Sequence, residues 1–192
     1  MKILLADVET TGLLEDPRTR LHQIAGKVLI DGNVVDSFDI KVCPPPYAMI
    51  DPEALAISGK TVAHINTYQS TYNGYKCFTD LLDKYIHKYE RAKKDKFFFS
   101  GYNAGFDVQY VRRFFLDCGD QFFGSYFWTG TLDIMVYALG HLSSVRHTLP
   151  NFKLGTVAST LGVPLLHAHD AESDIEATLG IARKIAVPGF SP

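Results

Sequence analysis

The sequence predicts an α/β fold built on a mixed sheet, an antiparallel three-strand meander joined by parallel strands and flanked by helices. Residues 2–9 (KILLADVE) and 23–30 are apolar runs of strand length. Asp31-Gly32 is a hairpin signal leading into a third run, Val34 to Val42. Past Pro44-Pro45-Pro46 the period becomes helical: Phe78, Leu81, Leu82, Tyr85, Ile86 and Tyr89 fall at i, i+3, i+4, i+7, i+8 and i+11. Strand and helix then alternate, the pattern of a sheet covered by helices.

The remaining elements follow from local signals. Pro52 opens a short helix at 52–58 and Gly59 closes it. Phe97 to Tyr102 reads as a strand and 105–117 as a helix, and 119–130 as a loop rich in aromatics, Phe122, Phe123, Tyr126, Phe127 and Trp128. Such a loop could stack bases or dock a partner, but a buried flap would have the same composition. Short helices are expected at 131–141 and 153–161 and a long one at 170–186. Val187 to Pro192, with two prolines and a glycine, reads as a loosely held tail. No repeat or linker divides the chain, so a single domain over 1–187 is expected, with 188–192 as the tail.

Composition narrows the function. The chain has 192 residues, 46% of them hydrophobic and 21% charged, enough for one well-buried domain. Cys43, Cys77 and Cys118 form no CxxC pair, which suits a reducing, cytoplasmic compartment and argues against a zinc site. No apolar run is long enough to span a bilayer or serve as a leader. The net charge of −2 does not suit a protein gripping long duplex through phosphates. A nucleic-acid partner would be held over a few nucleotides, aided by cations. Arg91, Lys93, Lys94 and Lys96 read as a solvated helix end.

Four acids occupy places made for apolar residues. Asp-x-Glu occurs at 7/9, 51/53, 170/172 and 174/176, but only Asp7 and Glu9 sit on a strand otherwise fit for burial. Residues two apart on a strand face one side, so the two project together. Thr10-Thr11-Gly12 then supplies a polar turn whose N–H groups could meet a ligand. Asp107 shares a helical stripe with Val111, Phe114 and Phe115, and Asp174 one with Thr178, Ile181 and Ile185. A helix N-cap would also account for Asp107, and a solvated strand end for Asp7 and Glu9. Gathered carboxylates must keep protons or hold cations, and no matching lysine or arginine stands beside them. Oxygen ligands of this kind suit Mg²⁺ or Mn²⁺, two of which form the usual clamp for phosphodiester cleavage. His169, five residues before Asp174, is a candidate general base near a metal-bound water.

Taken together, Asp7-x-Glu9-Thr10-Thr11-Gly12-Leu13, Asn103-Ala-Gly-Phe106-Asp107 and His169-x-Ala-x-x-Asp174 resemble, in order, the three motifs of the DEDDh 3′→5′ exonucleases. That family includes the epsilon subunit of bacterial DNA polymerase III and ribonuclease T. The resemblance implies a ribonuclease H-like fold and two divalent cations, Mg²⁺ or Mn²⁺. By analogy, Asp7 bridges both ions, Glu9 and Asp174 complete the site that activates water, Asp107 helps hold the second ion, and His169 accepts the proton. Thr10, Thr11, Gly12, Leu13, Asn103 and Phe106 match positions around the terminal nucleotide, with Leu13 and Phe106 as apolar contacts. Ile57 and Ser58 lie in a further segment bordering the substrate, where Ser58 replaces a histidine frequent in relatives and Lys60 follows Gly59. Tyr102 likewise stands where many relatives have histidine. The expected substrate is a nucleic-acid 3′ end, single-stranded DNA favoured, and a polymerase or replication partner stays open. An exoribonuclease with the same residues, and a non-catalytic binding or polymerase-docking module, are the alternatives.

Overall fold

The computed structural model describes residues 1–87, 95–166 and 171–191. In chain order the elements are β1 (Lys2–Thr10), β2 (Leu21–Ile30), β3 (Asn33–Cys43), α1 (Pro52–Ile57), α2 (Val62–Ile65), β4 (Gln69–Ser70) and α3 (Thr71–Asp83). There follow β5 (Phe97–Gly101), α4 (Ala104–Asp117), α5 (Phe123–Tyr126), β6 (Phe127–Asp133), α6 (Ile134–His141), a 3-10 turn Arg146–Thr148, α7 (Leu154–Leu161) and α8 (Ala171–Lys184). The sheet order is β4-β3-β2-β1-β5-β6. β1, β2 and β3 pair antiparallel, whereas β5 joins β1, β6 joins β5 and β4 joins β3 in parallel. The mixed sheet expected from the sequence is therefore present. Asp31 and Gly32 both take positive φ, 49° and 85°, the geometry a two-residue hairpin needs to match strand twist.

Period-two alternation on β1 feeds two cores. Leu4, Ala6 and Val8 pack with Phe78, Leu82, Val111, Phe114 and Phe115 of α3 and α4. Ile3 and Leu5 pack on the opposite face with Ile134, Val157, Ile175 and Ile181 of α6, α7 and α8. Burial on both faces is why β1 reads as a continuous apolar run.

Several boundaries differ from the sequence expectation. α3 begins at Thr71, capped by Ser70, and ends at Asp83; Ile86 is buried beyond its end, and Tyr89 lies outside the described residues. α2 and β4, of four and two residues, are too short to show a period in the sequence. The aromatic segment 119–130 is not a loop: it holds α5 and most of β6. Gly130 at φ +88° and a register shift opposite Phe97 to Phe99 break the strand's alternation, which hid it. Phe123 stacks on Phe127 at 4.6 Å and both are buried with Tyr126, while Phe122 is exposed. β6 also runs to Asp133, whose side chain caps α6, so the helix expected from 131 starts at Ile134. The tail is not loose. Val187 and Phe190 are buried in the second core, and Arg183 Nε donates to the carbonyl of Ser191 at 2.7 Å. In the basic run, Lys96 donates to the carbonyl of Gly124, and Arg91, Lys93 and Lys94 lie outside the described residues. Among the described residues no helix is long and apolar enough to cross a membrane.

Candidate active site

The acids gather where β1 outruns its neighbour. β5 pairs with β1 only from Ile3 to Leu5 and ends at Gly101. A Cβ on Gly101 would stand 2.7 Å from the carbonyl oxygen of Ala6, so only glycine lets β5 pass so close before turning away. Beyond that point the Val8 N–H has no strand partner on this side and donates instead to Asp107 Oδ1 at 3.2 Å. Asp107 lies in the first turn of α4, 3% exposed, on the stripe with Val111, Phe114 and Phe115. Asn103, not Asp107, occupies the N-cap position.

Asp7 and Glu9 continue the face of Ile3 and Leu5, opposite Ala25 and Gln23 of β2. That face is covered by α8, whose first turn carries Asp174. Thr178 and Ile181, one and two turns further along, are buried, while Glu172 and Glu176 are exposed and Glu176 pairs with Lys27 at 2.8 Å. The acids thus reach one place from both helical layers.

Electrostatics registers the crowding. Burial first, then Asp107, Glu9 and Asp174, push the Asp7 carboxyl well above the usual carboxylate range. Burial lifts Asp107 to about 8; hydrogen bonds from the Val8 N–H and its own N–H oppose this, while Asp133 and Glu9 add to it. Such a group is neutralised by a proton or by a cation. Among the described residues no group of three or more carboxylate, imidazole or thiol side chains stands close enough to hold a metal ion by itself. Mg²⁺ and Mn²⁺ do not need one, since they keep several waters and complete their shell with phosphate oxygens. An all-oxygen set of mutually repelling carboxylates fits such ions. His169 lies outside the described residues.

The residues expected around a terminal nucleotide divide into two groups. Leu13 and Ile57 are exposed at 65% and 62%, Asn103 is exposed, and Thr10, Ser58 and Phe106 are half-buried. Asp51, the cap of α1, donates its N–H to the carbonyl of Thr11 at 2.7 Å and so ties the Ile57-Ser58 segment to the β1 turn. Thr11 and Gly12 depart from expectation because both are buried. Thr11 Oγ1 donates to the carbonyl of Met49 and accepts from the Arg20 N–H, and the Thr11 N–H goes to the carbonyl of Arg20. Its polar groups hold the loop, so Thr11 is a structural residue there. Gly12 is required because a Cβ would meet Thr19 Cγ2 at 2.7 Å.

Sequence reasoning missed what holds this turn. Tyr110, fully buried on α4, donates its hydroxyl to the carbonyl of Gly12 at 2.7 Å and carries the Phe106 ring 5.0 Å from its own. Arg113 donates to the carbonyls of Leu14, Asp16 and Thr19. α4 therefore sets both Asp107 and the Gly12-Leu13 turn. Periodicity marks Tyr110 as a core residue; nothing local reveals which carbonyl its hydroxyl meets.

A family model described as exonuclease, RNase_T, matches residues 4–182, and the chain belongs to that family. The chain is 26% identical over 177 residues to the PolC-type DNA polymerase III of Clostridium perfringens, covering 92% of this chain and 11% of that protein. It is 31% identical over 173 residues to that of Lacticaseibacillus paracasei, covering 90% and 10%. The chain thus spans about a tenth of these curated relatives. Among solved structures, E. coli exonuclease I in complex with a dT13 oligonucleotide superposes with a TM-score of 0.74 at 22% identity, covering 97% of this chain and 40% of that one. The expected fold and an exonuclease family are both met.

Proposed function

From membership of that family, we propose that the chain is a 3′→5′ exonuclease. It would release 5′-mononucleotides from single-stranded DNA ends and work with two Mg²⁺ or Mn²⁺ ions at Asp7, Glu9, Asp107 and Asp174. The observation that carries this is the convergence of four carboxylates on the end of β1, with Asp7 held far above its ordinary range by burial and the other three. Bound divalent ions would supply an activated water and neutralise the leaving oxygen. The protein's own groups do the rest. Asp7, Glu9, Asp107 and Asp174 would hold the ions as carboxylates, Glu9 and Asp174 at the ion that activates water, and His169 would accept the proton of the attacking water. Leu13, Ile57 and Phe106 offer apolar surface to the terminal base or sugar, while Thr10, Ser58 and Asn103 offer polar atoms beside it.

The preference for single strands has two supports. A net charge of −2 gives little grip on intact duplex, and an unpaired end avoids the unstacking that a duplex end requires. E. coli exonuclease I, which shares the fold, is also known as a complex with ssDNA. Similarity to PolC-type polymerases supports a replicative setting. The test is a time course on a 5′-labelled single strand with Mg²⁺, expected to give a descending ladder that EDTA abolishes. Early cuts in a circular single strand, or full activity in EDTA, would overturn the reading. Matched RNA and DNA oligonucleotides in the same assay decide between exodeoxyribonuclease and exoribonuclease.

A further inference from the structure

Asp133 ends β6, opposite Gly101 of β5, and caps α6. One oxygen, Oδ1, accepts two N–H groups from different parts of the chain: Met135 in the first turn of α6 at 3.0 Å and Asn103 at 3.1 Å. The first bond is an ordinary N-cap. The second is not required by either helix. It holds Asn103 in the left-handed region, φ 66° and ψ 42°, at the point where β5 turns into α4. From there the carbonyl of Asn103 accepts the Phe106 N–H at 2.9 Å and starts the helix that carries Asp107. The Asn103 side chain makes no capping bond to its own helix, and the residue is exposed. Its backbone is pinned and its side chain is exposed without a capping bond, four residues before Asp107.

We propose that Asp133 is a positioning residue for the exonuclease reaction: by clamping the Asn103 N–H, it aims the Asn103 amide and the first turn of α4 at the terminal nucleotide. A carboxylate suits the task because a charge-assisted acceptor can hold two donors, one of them at a helix N-terminus. The proposal rests on the exonuclease reading above, and its test separates the two.

Asp133→Ser keeps a good N-cap for α6 but is too short to reach Asn103 as well. Asp133→Asn keeps an oxygen where Oδ1 stands. On a 5′-labelled single strand with Mg²⁺, Asp133→Ser should lower kcat/KM by roughly 10–100-fold, the scale of a misplaced positioning group. Asp133→Asn should stay within about 5-fold of wild type, since it retains the acceptor. In an Asn103→Ala background, Asp133→Ser should add less than about 3-fold, because both changes act through one side chain. The clamp is read without activity from hydrogen exchange of the Asn103 backbone N–H, slow in wild type and Asp133→Asn and fast in Asp133→Ser. Wild-type kcat/KM in Asp133→Ser, loss in Asp133→Asn equal to that in the serine variant, or full additivity with Asn103→Ala would overturn the proposal. An inactive wild type with the exchange pattern intact would instead overturn the exonuclease reading.

Discussion

Replacing Asp107 with asparagine is expected to stabilise the metal-free protein at neutral pH while ending its activity. Asp107 is 3% exposed, and burial, with Asp133 and Glu9, lifts its pKa to about 8. In the unfolded chain the same carboxyl ionises near ~3.9. Between those values the native protein retains a proton that the unfolded chain has released, so stability falls as pH rises. The slope reaches about 1.4 kcal/mol per pH unit for one such group, or roughly 2–3 kcal/mol from about pH 5 to about pH 7. Asp7, also raised, steepens the fall in the same direction. Asp16 does not contribute in this window: its bonds to Arg18 hold it down at about 2, and it titrates below it. Asparagine keeps an oxygen for the Val8 N–H and has no proton to lose, so the variant should show the shallower slope. Urea unfolding midpoints in chelator, measured across this pH range, give the comparison. Parallel pH profiles for the two proteins, or wild-type stability that climbs toward neutral pH, would refute the account of Asp107 as a buried, proton-holding acid.

Two further outcomes follow from the same geometry. Tyr110→Phe removes the hydroxyl that holds the Gly12 carbonyl, while Thr10 Oγ1 still donates to that carbonyl. Stability should fall by only about 1 kcal/mol, and KM for a single strand should rise more than kcat falls, as steady-state kinetics would show. An unchanged KM would detach the turn from substrate binding. His169→Ala should lower turnover by roughly 10²–10⁴-fold, and the wild-type rate should climb with pH as the imidazole loses its proton. Wild-type turnover in the alanine variant would make His169 a bystander.

The strand–helix order, the pairing of Asp7 with Glu9 on one face, and the inward stripes of Asp107 and Asp174 were all legible in the sequence. Each is a matter of local period, two residues on a strand or 3.6 on a helix, and spacing alone determines it. The same logic failed where period was broken or too short to register, as in β6 with its Gly130 kink and in the two-residue β4. It failed again where a residue's fate hung on a distant partner. Thr11 reads as a ligand-facing turn residue, yet Met49 and Arg20 claim its polar groups. The tail reads as loose from its prolines and glycine, but Phe190 finds the second core. What organises the site was invisible for the same reason. Val8 meets Asp107 across 99 positions, Tyr110 meets Gly12 across 98, and Asp133 meets Asn103 across 30. Spacing says which way a side chain points; which carbonyl or N–H waits there depends on how the two helical layers pack on the sheet, and only the tertiary structure decides that.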